Sequence, residues 1–154
     1  MSAPRKFVVC ALDTTVFAIE LSRVERVVRA VEITRVPEAP PLILGVIKVK
    51  KLVIPVVNAR RRFGLPERDV ELSDMMVVAR VSHGFVVLLV DEVTGLIECG
   101  EGSIVPAEKI LHEMHAIEGV AKTADGLVIL EDLERFVSGE EAAGVLAHPV
   151  AEGL

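Results

Sequence analysis

The sequence predicts an all-β fold built from two related halves, and three observations support this prediction. Apolar residues come in short blocks that are rich in Val and Ile and separated by turn residues. Segments with helical periodicity are scarce. In addition, residues 45–61 align without gaps on residues 119–135. Many short strands with few helices are typical of a β-barrel or β-sandwich, and the repeat indicates two β-subdomains in one chain.

Nine apolar blocks are predicted to be strands. In chain order they are FVVCAL, VFAIEL, GVIKV, LVIPVV, MMVVARV, FVVLLVD, GLIEC, EGVAK and LVILE. The sequences DTT, SHG and DG are predicted hairpin turns between consecutive strands. Short helical segments are predicted after Leu21, near Arg60–Phe63 and at Glu131–Val137, and residues 139–154 are predicted to be a C-terminal helix or tail.

The internal repeat sets the predicted boundaries of the halves. In the alignment Gly45 coincides with Gly119, and Asn58 coincides with Asp132. The most polar linker of the chain, PERDVELS at residues 66–73, lies between the two repeats. We therefore predict one domain over residues 5–138, with halves at roughly residues 5–65 and 74–138. An exchange of strands between the halves is left open.

Basic residues are concentrated in the segment from residue 45 to residue 65, which has no acidic residue. The chain has a net charge of −6, so the rest of it sums to −12. This basic ribbon consists of Lys48, Lys50, Lys51, Arg60, Arg61 and Arg62. It can be a solvated strand edge, a nucleic-acid surface or a protein-binding face. A nucleic-acid surface is disfavoured because the rest of the chain is acidic and aromatic residues make up only 3%.

The sequence does not predict an enzyme, because no convergent set of reactive groups is recognisable. His83 lies in a predicted turn and His148 in the tail. His112 and His115 are three residues apart rather than the four of a zinc-binding HExxH motif, which favours a surface pair. Asp91 and Glu92 are interpreted as solvated charges at a strand end. We predict no catalytic residues, no cofactor and no metal site.

Composition predicts a cytoplasmic protein. Both cysteines, Cys10 and Cys99, lie in apolar strand-like blocks, which predicts buried, reduced and unreactive thiols. No apolar run approaches the roughly 20 residues that span a bilayer, so direct insertion into a membrane is not expected.

Several motifs follow one another in an order that is known from one family. They are Phe7-Val8-Val9, Phe17-Ala18-Ile19, Val24, Val36-Pro37, Ala39-Pro40, Gly45-Val46-Ile47, Ile54–Asn58, Val90–Val93 and Ile117–Ala121. Over residues 5–138 the chain resembles the CheW family of chemotaxis coupling proteins. The resemblance implies two five-stranded SH3-like β-barrels around a shared hydrophobic core. It also implies a non-catalytic adaptor that links the cytoplasmic tips of chemoreceptors to the regulatory domain of a CheA-type histidine kinase.

The resemblance further implies which residues contact partners. Val24, Arg26, Val27 and Lys50 correspond to receptor-binding positions, and Gly45 corresponds to a glycine required for kinase binding. The family's usual Arg-Gly pair is here Lys50-Lys51, which puts a lysine where glycine is common in a turn.

The family's usual glutamate is replaced by Arg26, a change of about two charge units, and lysine does not reproduce the planar contacts of arginine. We favour the interpretation that the protein is a diverged paralogue adapted to a more acidic receptor. The other interpretation is that its receptor contacts have drifted in sequence and that receptor binding has been lost. A basic-faced barrel that binds nucleic acid or another acidic ligand is the alternative.

Overall fold

The structure is a computed structural model that describes residues 3–110 and 117–137. His112, His115 and His148 lie outside the described residues, as does the predicted C-terminal segment 139–154.

Short strands make up most of the described chain. They are β1 (Arg5–Leu12), β2 (Thr15–Glu20), β3 (Val24–Arg29), β4 (Ile43–Val49), β5 (Leu52–Val57), β6 (Met75–Val81), β7 (Gly84–Val90), β8 (Glu92–Cys99), β9 (Ile104–Pro106), β10 (Ile117–Thr123) and β11 (Gly126–Glu131). The helices are α1 (Ala59–Arg62) and α2 (Leu133–Val137), with 3₁₀ turns at Leu21–Arg23, Glu101–Ser103 and Ala107–Lys109. The all-β prediction is confirmed, together with all nine predicted strands and the predicted helices that became α1 and α2.

The strands form two sheets that each combine strands from both halves of the chain. Sheet 1 has the order β8-β1-β2-β11-β10-β9, and sheet 2 has the order β3-β6-β7-β5-β4. All neighbours are antiparallel except one parallel pair in each sheet, β2 with β11 and β5 with β7. The strands are therefore exchanged between the halves. The linker at residues 66–73 separates the two repeats, but it lies between strands of the same sheet.

The aligned glycines of the repeat have the same structural role. A β-carbon on Gly45 would lie 2.3 Å from the carbonyl oxygen of Thr34, and one on Gly119 would lie 2.3 Å from that of Val105. The strand register shifts beside each glycine. In both hairpins the main chain approaches a neighbouring segment so closely that only glycine fits without displacement.

The aligned polar residues of the repeat cap the two helices. The Asn58 side-chain oxygen accepts a hydrogen bond from the Arg61 amide at 3.1 Å. The Asp132 carboxylate accepts one from the Arg135 amide at 3.3 Å. Asn and Asp are favoured at this position because their side chains bond an amide that the helix leaves unpaired.

The segment after Leu21 was predicted to be helical, and this prediction is wrong beyond Arg23. Val24, Val27 and Val28 are spaced three and four residues apart, as on a helix, yet they lie in β3. The register of β3 against β6 shifts around Glu25, so one extra residue is inserted there. This β-bulge reconciles the spacing with a strand. The three-residue strand β9 was also not predicted.

A central apolar cluster lies between the sheets, and each sheet also encloses a cluster of its own, consistent with SH3-like subdomains. The central cluster contains Phe17 of β2 and Phe136 of α2, whose ring centroids are 6.2 Å apart. Phe63 packs against both rings at 4.9 and 5.8 Å. Deleting a buried phenylalanine ring typically costs about 3–5 kcal/mol. These rings therefore contribute strongly to the attachment of α2.

The two-residue loop between β4 and β5 generates a stability prediction. Lys50 has a φ of 56°, and Lys51 has no positive φ. A positive φ at the first loop position is typical of a type II′ turn, where glycine is the usual residue. We expect Lys50→Gly to stabilise the protein by about 1 kcal/mol by removing strain. Lys51→Gly should destabilise it by roughly 0.5–1 kcal/mol, because glycine adds entropy to the unfolded chain.

Urea unfolding of the two single variants and the wild type measures these effects. A Lys51→Gly variant that is more stable than Lys50→Gly would contradict the assignment of the strained position.

Candidate interaction surfaces

The predicted basic ribbon is divided into two parts in the structure. Lys48, Lys50 and Lys51 are exposed on the β4–β5 hairpin. The three arginines instead form α1. One continuous basic face is therefore a wrong description, because the arginines lie on a separate helix and Arg60 is buried.

Arg60 is the buried member of this group, with only 9% of its surface exposed. Its guanidinium lies 3.0 Å from Asp13 Oδ2 in the β1–β2 turn and 2.8 Å from Asp91 Oδ2 after β7. It also donates a hydrogen bond to the carbonyl oxygen of Pro66 at 3.0 Å. Arg60 therefore joins sheet 1, sheet 2 and the linker at one point, and its charge is not available to a partner.

The network continues through Arg68 of the linker. Its guanidinium lies 2.6 Å from Asp91 Oδ1 and 2.7 Å from Asp74 Oδ1, and Asp74 is 2% exposed. Burial acts to raise the pKa of Asp91, but the hydrogen bond from the Asp13 amide and the Arg60 guanidinium outweigh it and lower that pKa. The interpretation of Asp91 as a solvated charge is therefore wrong.

Helix α2 makes an equivalent contact with the charges reversed. The alignment of the repeats places Glu134 on Arg60. The Glu134 carboxylate lies 2.9 Å from the guanidinium of Arg23 and accepts a hydrogen bond from the Ser82 amide, in the β6–β7 turn, at 2.6 Å. Each helix thus follows a strand of one sheet and contacts the hairpin turn of the other.

The predicted receptor-contact residues do not lie on one face. Because of the bulge at Glu25, Val24 and Val27 face one side of β3 and Arg26 faces the other. Val24 and Arg26 are half-buried, and Val27 is 36% exposed. Lys50 lies at the tip of the β4–β5 hairpin, and β3 and β4 are at opposite ends of the strand order of sheet 2. Within the described residues, Arg26 Nε is buried without a hydrogen-bond partner. Contact of these residues with a receptor remains a prediction.

An apolar groove lies beside the β4–β5 hairpin. It encloses about 420 Å³ between the turn at residues 36–40 and the strands. Val36, Ala39, Ile43, Val46 and Pro55 line it. The motifs of this region are recognisable in the sequence, but nothing in them indicates a groove, because the groove depends on how the turn folds against the hairpin.

Both thiols are buried and unpaired. Burial raises the pKa of the Cys10 thiol to about 12, and burial likewise raises the pKa of Cys99. The prediction that both cysteines are buried and reduced agrees with this geometry, and their low reactivity remains a prediction.

Among residues 3–110 and 117–137, no cluster of His, Cys, Asp and Glu side chains has a geometry that could hold a metal ion. None of the described helices is long and apolar enough to cross a membrane.

Glu131 is a buried acid that the sequence analysis missed. It is 5% exposed, and its Oε2 atom has no hydrogen-bond partner among the described residues. Burial raises its pKa to about 7, although the nearby charge of Arg62 acts in the opposite direction. The repeat alignment places Glu131 on Val57, which is fully buried. The available signal in the sequence was that a carboxyl group occupies a position at which the other copy of the repeat has a buried apolar residue.

The raised pKa of Glu131 predicts a pH dependence of stability. In the unfolded chain the carboxyl group loses its proton near pH 4.5, whereas in the folded protein it keeps the proton until about pH 7. The free energy of unfolding should therefore fall by about 2–3 kcal/mol between these pH values. Glu131→Gln should remove this loss, so that the variant gains stability over the wild type as pH rises from 5 to 8.

Urea unfolding at pH 5 and pH 8 measures the change, with Glu108→Gln, at an exposed site, as the matched control. A Glu131→Gln variant that follows the wild-type pH dependence would rule out this origin of the effect.

Comparison with known proteins adds to this geometry. The model of the CheW-like domain matches residues 6–141. The chemotaxis protein CheW of Bacillus subtilis is 29% identical over 143 residues, which cover 92% of this chain and 86% of that protein. CheW of Klebsiella aerogenes is 21% identical, with 90% of this chain and 85% of that protein covered.

A solved structure is also similar. The crystal structure of the scaffolding protein TtCheW from Thermoanaerobacter tengcongensis superposes with a TM-score of 0.80 at 29% identity, and covers 90% of this chain and 95% of that one. Similarity in sequence and in fold extends over most of both chains. The protein described here therefore belongs to the CheW-like domain family.

Proposed function

We propose that the protein is a non-catalytic adaptor that couples chemoreceptors to a CheA-type histidine kinase. The observation that carries this proposal is the CheW-like match over residues 6–141, which spans both sheets. Two sheets that are tied together by crossed helix contacts suit this role, because a scaffold must hold two partner surfaces in a fixed relation.

The kinase side of the proposal rests on Gly45. This residue lies where β4 passes close to Thr34, and any β-carbon would displace that segment. Backbone displacement at an outer strand of sheet 2 would change the surface that a β-barrel of the kinase regulatory domain can contact. Kinase contacts of this kind are mainly apolar, so their affinity should depend weakly on salt.

The receptor side rests on Val24, Arg26, Val27 and Lys50, with a specificity for an acidic receptor. Arg26 supports this part through its positive charge, because its side chain is only half-buried and a receptor carboxylate could pair with it. The exposed lysines of the hairpin add positive charge in a protein whose net charge is −6. The nucleic-acid alternative has less support, since Arg60 is already ion-paired inside the protein and only part of the basic segment faces solvent.

We expect the protein to bind its cognate kinase regulatory domain in calorimetry. Gly45→Ala should weaken this binding by about tenfold or more. Gly119→Ala creates the same close contact in the other hairpin and serves as the matched control for loss of stability. Affinity should change by about threefold or less between low and moderate salt. Absence of heat and of a shift on a sizing column would contradict the adaptor function, and equal losses for both glycine variants would contradict the assignment of Gly45.

We also expect the double variant Arg26→Glu/Lys50→Arg to bind an ordinary chemoreceptor tip more tightly and the protein's own receptor more weakly. Each change should be about tenfold, since Arg26→Glu changes the charge by two units and Lys50→Arg restores the planar guanidinium contacts. Kinase binding should stay within about twofold. Parallel titrations of wild type and variant with the two receptor tips measure this, and equal changes toward both would show that these residues carry no receptor specificity.

A further inference from the structure

A cavity of about 250 Å³ lies at the end of sheet 2 where β5 and β7 end, and the linker at residues 66–73 forms part of its wall. Its apolar part consists of Leu44, Ala59, Val70 and Leu89. It shares no lining residue with the groove beside the β4–β5 hairpin, and it contains none of the residues assigned above to kinase or receptor contacts. Ends of β-barrels are among the preferred places for sites that bind small molecules.

Most of the charges that line this cavity are already paired with one another. The Arg60 guanidinium lies against Asp13 and Asp91, and the Arg68 guanidinium lies against Asp74 and Asp91. Each of these side chains therefore has at least one charged partner within the protein. The network holds the wall of the cavity in place, and a ligand has to be recognised by the polar groups that the network does not use.

The polar groups left for a ligand are one arginine, two carboxylates and one amide. Arg35 is exposed and forms no ion pair or hydrogen bond with a described residue, and the same holds for the carboxylate of Asp69. Glu67 accepts a hydrogen bond from Asn58 Nδ2 at 3.0 Å, which leaves its charge without a cationic partner in the described chain. Asn58 is only 6% exposed, and this bond uses one of its two amide hydrogens.

The unused charges of opposite sign share the cavity without touching. Arg35 forms no ion pair with Glu67 or with Asp69, although all three line the same space. A sphere with the volume of this cavity is about 8 Å across, which leaves room for a small molecule between them. In an α-amino acid the ammonium and carboxylate groups are about 3 Å apart, so hydrogen bonds of about 2.9 Å at both ends give a span of about 9 Å. The spacing therefore suits a small zwitterion.

The acidic side of the cavity fits an ammonium group better than a metal ion. Among residues 3–110 and 117–137, no group of His, Cys, Asp and Glu side chains could hold a metal ion. An ammonium group has three hydrogens to donate and can pair with two carboxylates at once. On the other side, the planar fork of Arg35 can hold a carboxylate through two parallel hydrogen bonds. Val70 is 43% exposed and would be covered by an apolar side chain of the ligand.

We propose that this cavity binds a free α-amino acid with an apolar side chain, with its carboxylate on Arg35 and its ammonium group on Glu67 and Asp69. A residue inside a peptide has lost both charges, so the cavity selects the free amino acid. The ligand would connect the linker to the segment that precedes β4. This proposal does not depend on the adaptor function, because it concerns binding by the isolated protein.

The test is a titration of the full chain with L-leucine and two analogues, followed by NMR shift changes of the backbone amides. Isoamylamine is leucine without the carboxylate, and isocaproate is leucine without the ammonium group. We expect L-leucine to bind with a Kd of about 0.1 mM or tighter, and each analogue to bind at least about tenfold more weakly. L-Glutamate should also bind at least about tenfold more weakly, because Arg35, Glu67 and Asp69 together have one excess negative charge.

Neutral variants of the protein show which wall holds which group of the ligand. Arg35→Gln should weaken the binding of leucine about tenfold or more, and it should not affect isoamylamine, which has no carboxylate. Glu67→Gln/Asp69→Asn should weaken the binding of leucine and of isoamylamine by a similar factor, and it should not weaken that of isocaproate. These three side chains are exposed, so we expect all the variants to fold.

Matched controls remove the same charges elsewhere on the surface. Arg29→Gln is the control for the arginine variant, and Glu32→Gln/Glu108→Gln is the control for the double variant. These residues are exposed and do not line the cavity, so both controls should keep the wild-type affinity for leucine. Thermal unfolding of every variant separates loss of binding from loss of the fold. If a variant fails to fold, the comparison of leucine with its two analogues on the wild type still decides.

Four outcomes would overturn the proposal. The first is the absence of shift changes with L-leucine up to about 10 mM. The second is equal affinity for leucine and either analogue, and the third is an equal effect of Arg35→Gln and Arg29→Gln. The fourth is that the shift changes map away from the linker and the ends of β5 and β7.

Discussion

The crossed contacts of α1 and α2 tie the two sheets together, and the remaining structure depends on them. Arg60 of α1 reaches the β1–β2 turn of sheet 1, while Glu134 of α2 reaches the β6–β7 turn of sheet 2. Arg60 is largely removed from water, so its charge requires both Asp13 and Asp91 as partners. Loss of either partner would leave the Arg60 guanidinium with one carboxylate in place of two. The relative position of the sheets is thereby fixed at two symmetric places.

This arrangement also explains how the protein can hold strained turns. Asp13, Glu38 and Lys50 have positive φ values, each at a turn. Such conformations cost of order 1–3 kcal/mol unless the surroundings compensate for them. Asp13 has an evident compensation, because its amide and its carboxylate both belong to the Arg60–Asp91 network. Glu38 and Lys50 have none among the described contacts. Glu38 lines the groove beside the β4–β5 hairpin, and Lys50 lies at the tip of that hairpin. The strain there coincides with the surface that is open to a partner.

The repeat accounts for the shape of the protein more than for its surface. Gly45 and Gly119 keep the same close backbone approach, and Asn58 and Asp132 keep the same helix cap. Most of the other aligned side chains differ. Arg60 is matched by Glu134 with reversed charge, and the buried Val57 is matched by Glu131. The two copies of the repeat share a backbone geometry but carry different side chains, which allows the two sheets to have different binding faces.

The sequence by itself determined nine of the strands, the hairpin turns, both short helices and the repeat, because these depend on local periodicity, turn residues and caps. The prediction from sequence failed at β3, because the bulge at Glu25 interrupts the alternation of inward and outward side chains that identifies a strand. It also did not reveal that Arg60 and Asp91 belong together, since the residues that neutralise them are distant in the chain. Tertiary structure decided which charges are buried and which remain exposed, so that six basic residues close in sequence separate into a buried anchor and an exposed hairpin. The physical reason is that the environment of a charge depends on neighbours from several strands, and local sequence does not specify those neighbours.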